Sequence, residues 1–152
     1  MARCMIVDYT ISNELRQRAE QRISKVQFNR SSYSKFGSER NRTLVGYLGE
    51  EMIKEYLSLD SMIDDFNFDL IYRNHRLEVK SVSCKFKPRP DYLCTVNSHD
   101  LEGVHKQEAD YYIFTRIIND LSQGWILGFC NCNDFFEKGK FVEKGSTVIP
   151  GV

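Results

Sequence analysis

The chain has 152 residues, of which 41% are apolar and 28% charged, a balance typical of a globular domain that can bury its own core. No apolar run approaches the ~18 residues that a membrane-spanning helix needs, and the N-terminus lacks the pattern of a secretory signal. We therefore expect one domain over residues 1–152, located in the cytoplasm rather than secreted, with no membrane partner.

The net charge is zero, with 21 basic and 21 acidic residues, but the two signs are unevenly distributed. Residues 1–45 carry nine Lys/Arg and four Asp/Glu, a net charge of +5, and the remainder carries −5. This pattern is typical of a protein in which one region binds a polyanion and another holds cations. A helix with a solvated basic face gives the same pattern.

Five cysteines (Cys4, Cys84, Cys94, Cys130 and Cys132) form no CxxC pair. A structural zinc site needs paired ligands at short spacing, and Cys130-x-Cys132 alone does not supply them. We predict reduced, mostly buried thiols.

Two helices are predicted in the first part of the chain. The segment from about Ile11 to Phe28 carries apolar residues at helical spacing. Residues Asn29 to Ser38 are typical of a polar loop, and Ser38 is a candidate N-cap for a second helix that runs to about Leu59.

After the second helix, the period of the apolar residues changes from about 3.6 to 2. Two strands are predicted at Phe66–Tyr72 and Arg76–Val82, and the polar turn Arg73–His75 joins them into a hairpin. Later segments predict further strands at 91–96, 110–118 and 125–130, a short loop or helix at 97–107, and the start of a helix at 133–137. This order predicts an α/β protein in which helices cover a mixed sheet.

The hairpin brings three polar side chains onto one face. Glu78 and Lys80 are two residues apart on a strand, so their side chains emerge on the same side. A turn centred on Arg73–Asn74 puts Asp69 opposite Glu78, and a turn centred one residue later puts it opposite Lys80. In both registers the three side chains share a face, with Cβ atoms of opposed residues about 4.5–5.5 Å apart.

Glu50 is the fourth candidate, on the second helix. Gly46 and Gly49 each cost that helix ~1 kcal/mol relative to alanine, which is expected if its backbone lies close to the sheet. Such contact would bring Glu50 towards the strand pair. The neighbouring Glu51 is expected to be a solvated helix residue.

Carboxylates beside a lysine are the groups that phosphodiester hydrolysis requires. Divalent ions held by carboxylate oxygens neutralise the phosphate and activate the attacking water. An isolated Glu78-x-Lys80 is more simply a solvent-facing ion pair. Asp69 at hairpin-compatible spacing and Glu50 on the preceding helix favour an active site instead.

The pattern Asp69-(x)8-Glu78-x-Lys80, preceded by Gly49-Glu50 on a helix, resembles the PD-(D/E)XK nuclease superfamily. The resemblance covers residues 44–82 by motif and extends to about residue 131 by strand order. It implies a restriction-endonuclease-like fold, a central mixed β-sheet flanked by helices. A basic helical segment, 1–45, would precede a catalytic core at about 46–140.

The resemblance also implies roles and a cofactor. Asp69 and Glu78 would be metal ligands with the backbone carbonyl of Val79, and Glu50 would hold a second metal or a metal-bound water. Lys80 would orient or activate the attacking water. The cofactor would be Mg²⁺ or Mn²⁺.

The chain departs from the superfamily pattern in one position, and it carries no subfamily signature that would identify the substrate. Phe68 stands where the motif name has proline. The segment from Gln107 to Tyr111 matches the QxxxY pattern of exonuclease-like members, but it runs into an apolar strand, whereas that motif belongs on a helix.

We therefore expect a metal-dependent DNA endonuclease that binds DNA, with a homodimer implied by the superfamily. The expected phosphate-contacting residues are Arg16, Arg22, Lys35, Arg40 and Arg42. Two alternatives stay open: a non-catalytic nucleic-acid-binding module on the same fold, and an RNA-directed nuclease.

Overall fold

The computed structural model describes residues 6–26, 33–60, 68–90, 94 and 109–138, and for 33–38, 136 and 138 it describes the backbone alone. The elements, in chain order, are β1 (Val7–Thr10), α1 (Asn13–Ile23), α2 (Tyr33–Tyr56), β2 (Leu70–Tyr72), β3 (His75–Cys84), β4 (Tyr111–Ile118), β5 (Gln123–Asn131) and α3 (Cys132–Lys138). None of the helices in these ranges has the length and apolar content needed to cross a membrane.

The strands form one mixed sheet in the order β1-β5-β4-β3-β2. Strands β3 and β4 are parallel, and the other neighbours in the sheet are antiparallel. A parallel pair needs a long crossover connection, and residues 85–110 link the two strands. The predicted α/β class with a mixed sheet is confirmed.

The predicted hairpin is formed by β2 and β3. Leu70 pairs with Leu77, which leaves Arg73 and Asn74 as a two-residue turn. Both turn residues have positive φ, 49° and 65°, the combination that a type I′ turn requires. This is the first of the two predicted registers.

The first helix begins where the sequence supplies a cap. Ser12 Oγ accepts a hydrogen bond from the backbone N–H of Leu15 at 3.1 Å, so α1 begins at Asn13. The helix ends at Ile23 rather than near Phe28.

The second helix begins earlier than predicted. Residues 33–38 are helical, so the predicted N-cap at Ser38 and the predicted loop over these residues are wrong. No proline interrupts this stretch, and serine or glycine costs a helix interior only about 0.5–1 kcal/mol each, so the helix continues through them. It ends at Tyr56, short of the predicted Leu59.

The two faces of the sheet carry separate clusters. Helices α1 and α2 pack on one face around a core that includes Leu15, Ala19, Leu48, Met52, Leu77, Val79 and Ile113. The opposite face carries a smaller cluster of Tyr112, Phe114, Trp125, Leu127 and Cys132. Glu78 and Lys80 pair in register with Tyr112 and Phe114, so they belong to this second face.

The remaining predictions have mixed outcomes. The strands at 110–118 and 125–130 and the helix start at 133–137 are confirmed, and β2 is shorter than the strand predicted from Phe66. β1 has no predicted counterpart, since four residues give too short a periodic pattern. Cys94 is the one described residue of the strand predicted at 91–96, and 97–107 lie outside the described residues. The four cysteines in the described part are free thiols, as expected, but they are not mostly buried: Cys132 is buried, and Cys84, Cys94 and Cys130 are half-buried.

Candidate active site

Asp69 is fixed at the outer edge of β3, just before β2 begins. Its backbone N–H donates to the carbonyl oxygen of Leu77 at 2.8 Å. Its Oδ2 accepts a hydrogen bond from the backbone N–H of Val79, also at 2.8 Å. The β2–β3 pairing does not extend to Val79. There the Asp69 side chain takes the place of a neighbouring strand, because it accepts the hydrogen bond of the Val79 N–H.

Glu78 and Lys80 lie on either side of that anchor point. Glu78 is 7% exposed, and its Oε1 is 3.0 Å from Lys80 Nζ. The lysine ammonium is also 5.7 Å from the ring centroid of Tyr112 on β4. The predicted same-face arrangement of the pair is confirmed, and the face is a partly buried one rather than open solvent.

Glu50 reaches this edge because α2 lies very close to the sheet. A β-carbon at Gly49 would overlap Ser81 Oγ and press on Thr115 Oγ1, whose hydroxyl groups are 2.7 Å apart. The predicted close approach is thus confirmed for Gly49. It is wrong for Gly46, where an added β-carbon meets nothing within 4 Å because that part of α2 faces open space.

The Glu50 carboxyl group has partners on both sides. It shares a hydrogen bond with Asp69, and its Oε2 is 2.5 Å from Nη2 of Arg22. The Arg22 guanidinium carbon also lies 4.1 Å from the ring centroid of Tyr47. A residue of α1 therefore enters the site.

The electrostatics of the site are those of crowded carboxylates. Burial, together with the nearby charges of Glu50 and Glu78, raises the pKa of Asp69 to about 8 against the opposing effect of the Val79 N–H. Burial likewise raises the pKa of Glu50, although Arg22 acts in the opposite direction. The cluster therefore disfavours full ionisation when no cation is bound.

Glu51, expected to be solvated, is instead buried, with 3% of its surface exposed. Its carboxylate is 3.1 Å from Arg18 Nε, 3.7 Å from Arg22 Nη1 and 3.9 Å from Lys54 Nζ. The prediction is wrong because α1 packs against this side of α2 and supplies the two arginines. Burial of a carboxylate is tolerated when cations surround it.

The expected phosphate-contacting residues divide into three groups. Arg16, Arg40 and Arg42 are exposed, and Arg40 Nη2 is 3.2 Å from Glu20 Oε2. The Lys35 side chain lies outside the described part of the structure. Arg22 has only 17% of its side chain exposed and is held by Glu50.

The site role of Arg22 was not predicted, yet the sequence carries a signal for it. Arg18 and Arg22 are four residues apart, next to the buried stripe of Leu15, Ala19 and Ile23. Arginines beside such a stripe are placed to meet the carboxylates of the helix on which it packs.

The donor types fit a hard divalent cation, since carboxylate and backbone carbonyl oxygens are the ligands that Mg²⁺ prefers. In an extended strand, the N–H and C=O of one residue point the same way, so the Val79 carbonyl faces the edge where Asp69 lies. As the side chains lie, the described residues contain no group of three or more His, Cys, Asp or Glu placed to hold a metal ion. Glu50 is turned to Arg22 and Glu78 to Lys80, so both would have to reorient.

No family model, curated protein or solved structure matches the chain. The described residues define an α/β protein with a carboxylate–lysine cluster at one edge of a mixed sheet. Since a fold class alone does not determine an activity, a function can be inferred only from the chemistry of this cluster.

Proposed function

We propose that the chain is a metal-dependent nuclease of the restriction-endonuclease-like type, which hydrolyses DNA phosphodiester bonds as an endonuclease. The observation that carries this proposal is the meeting of Glu50, Asp69, Glu78 and Lys80 at the edge of β3. These residues come from one helix and both sides of a hairpin, so neither local sequence nor a single ion pair accounts for their convergence.

The residues divide into ligands and a water-positioning group. Asp69, Glu78 and the carbonyl of Val79 would hold Mg²⁺ or Mn²⁺, and Glu50 would hold a second ion or its water. A bound divalent cation neutralises phosphate charge and lowers the pKa of water. Lys80 Nζ is 3.0 Å from Glu78 Oε1, which supports the proposal that Lys80 would hold the attacking water beside that ligand.

The burial of like charges supports catalysis over a purely binding role. Asp69 and Glu50 both have raised pKa values, so keeping them side by side costs the metal-free fold stability. A module that only binds the nucleic acid backbone needs basic residues and gains nothing from that cost. In a metal-dependent nuclease, binding of the cation offsets this loss of stability.

The decisive experiment is cleavage of supercoiled plasmid and linear duplex DNA with EDTA, Mg²⁺ or Mn²⁺. We expect metal-dependent cutting by the wild type and a loss of at least 100-fold in Lys80→Met and Asp69→Asn, as expected when a catalytic group is removed. Circular plasmid cut as readily as linear DNA would identify an endonuclease.

The chain offers a matched pair of control substitutions. Lys87 Nζ and Asp8 Oδ1 form an ion pair of 3.5 Å, and both side chains are largely exposed. Lys87→Met and Asp8→Asn should therefore keep wild-type cleavage. Loss of activity in these controls, or cutting that survives Lys80→Met, would contradict the proposed site.

Substrate class and assembly need separate measurements. Single-stranded RNA and branched DNA, tested in the same buffers, distinguish a DNA enzyme from an RNA-directed one. Light scattering tests the homodimer, which we propose because a domain of 152 residues has little surface with which to surround a duplex. A monomer that cuts both strands at one position would overturn the dimer alone.

A further inference from the structure

Arg22 is unusually constrained for an arginine in the last turn of a helix. Its Nη2 is 2.5 Å from Glu50 Oε2, its Nη1 is 3.7 Å from Glu51 Oε1, and its guanidinium lies over Tyr47. The side chain is 17% exposed, so water screens these contacts only in part. The planar guanidinium is charged at every pH that the fold experiences.

The Glu50 oxygen that binds Arg22 belongs to the carboxyl group proposed to hold a cation. A guanidinium 2.5 Å from that oxygen competes with a divalent ion for it, because the two positive charges repel each other at such a separation. In the described residues the carboxylates are indeed not arranged to ligate a metal. Arg22 thus competes with a cation for one oxygen of Glu50.

We infer that Arg22 is a built-in counterion of the metal centre, which holds Glu50 while no divalent cation is bound and releases it when a cation enters. The inference rests on the proposed function. Glu51 makes the exchange feasible, because its buried carboxylate is 3.7 Å from Arg22 Nη1 and remains a partner after Glu50 turns away. The stacking on Tyr47 keeps the guanidinium in place during that exchange.

A counterion that competes with the metal weakens metal binding in the absence of DNA. We expect Arg22→Gln to bind Mn²⁺ about tenfold more tightly than the wild type, since one positive charge next to the ion has been removed. Mn²⁺ binding is measured without DNA from the electron paramagnetic resonance signal of the free ion. This readout is independent of cleavage.

Two further variants test whether the change in Mn²⁺ affinity comes from the charge of Arg22 beside Glu50 or from the loss of any arginine of α1. Arg18→Gln removes an arginine that binds Glu51 and Glu55 but not Glu50, so its Mn²⁺ affinity should stay within twofold of the wild type. Arg22→Lys keeps the charge and should also stay near the wild type. Circular dichroism and thermal unfolding, recorded for each variant, verify that the protein is folded at the titration temperature.

The outcomes distinguish this inference from the function on which it rests. Tighter Mn²⁺ binding in Arg22→Gln alone supports the counterion role. Equal or weaker binding in Arg22→Gln, or the same gain in Arg18→Gln, overturns that role and leaves the nuclease proposal standing. Absence of Mn²⁺ binding in the wild type and in all variants overturns both.

Discussion

The carboxylate of Asp69 accepts a hydrogen bond from the backbone N–H of Val79, with 2.8 Å between Oδ2 and the nitrogen. This bond fixes the carboxyl group at the backbone of Val79, the residue between Glu78 and Lys80 in β3. A bond to an ionised carboxylate lowers its pKa, but here burial and the charges of Glu50 and Glu78 outweigh it. The backbone therefore sets where Asp69 lies, and its neighbours set its charge.

This balance predicts that the metal-free protein loses stability as the pH rises. The pKa of Asp69 is raised from 3.8 to about 8, so between these values the folded chain holds a proton that the unfolded chain has lost. The stabilisation is complete below about pH 4 and is lost as the pH rises to about 8. In EDTA, Asp69→Asn should gain about 4 kcal/mol relative to the wild type between pH 5 and pH 8.5.

Urea unfolding followed by the fluorescence of Trp125, the single tryptophan, measures this difference at each pH. Asparagine keeps an oxygen that can accept the Val79 N–H, so the substitution changes the charge and not the anchor. Asp8→Asn is the control, because Asp8 is exposed on β1, at the other edge of the sheet. A stability difference between Asp69→Asn and the wild type that does not change with pH would show that Asp69 is ionised throughout.

Divalent cations should reverse this loss. A cation bound only by the folded chain at 100 times its dissociation constant stabilises the fold by about 2.7 kcal/mol. Because the cation displaces the proton of Asp69, Mg²⁺ or Mn²⁺ should raise the melting temperature more at pH 8 than at pH 6. Thermal unfolding in EDTA and in 10 mM metal measures the shift. A shift of equal size in Asp69→Asn would place metal binding elsewhere.

Adjacent glutamates on α2 should have different phenotypes. Glu51→Gln should lower the free energy of unfolding by about 2 kcal/mol, because it leaves buried cations without their carboxylate. Glu50→Gln should abolish metal-dependent cleavage while leaving stability at neutral pH within about 1 kcal/mol, since it also removes a buried like charge. Both are measured by urea unfolding and plasmid cleavage. If Glu51→Gln abolished cleavage and Glu50→Gln lowered stability, the catalytic role would belong to Glu51.

The two glycines of α2 give a matched test of the helix–sheet contact. Gly49→Ala should cost about 1–3 kcal/mol, because the new methyl group overlaps Ser81 and Thr115. Gly46→Ala should stabilise by up to about 1 kcal/mol, since nothing lies within 4 Å and alanine favours the helix. Chemical denaturation measures both. Equal effects of the two substitutions would mean that α2 does not approach the sheet at Gly49.

The hairpin and its polar face could be predicted because their geometry is local. Successive side chains of a strand point to opposite faces of the sheet, so the sequence determines which of them share a face. The position of the polar turn allows two registers for the hairpin. The observed pairing of Leu70 with Leu77 is one of them. The cost of glycine in a helix predicted a close approach at both Gly46 and Gly49, and it was right for Gly49 alone. These signals depend on neighbours in sequence.

The ion-pair network between α1 and α2 could not be predicted in the same way. Burial of Glu51 and capture of Glu50 by Arg22 depend on how the helices are rotated against each other, and that rotation is set by tertiary packing. β1 could not be predicted either, because its four residues form a strand by pairing with β5 and show no clear periodic pattern of their own. Long-range pairing decided both features.

The exposed arginines of the two long helices provide the final prediction, which concerns DNA affinity. Arg16 and Arg42 are solvent-exposed, so their guanidinium groups are accessible to phosphates. We propose to measure duplex DNA binding with Mg²⁺ in the inactive Lys80→Met variant. Adding Arg16→Gln and Arg42→Gln should reduce the slope of log K against log salt concentration by about two, because two phosphate contacts are lost. Fluorescence anisotropy over a salt series measures that slope. Arg73→Gln, in the exposed hairpin turn, should leave it unchanged. An unchanged slope in the double variant would place the phosphate contacts on another surface.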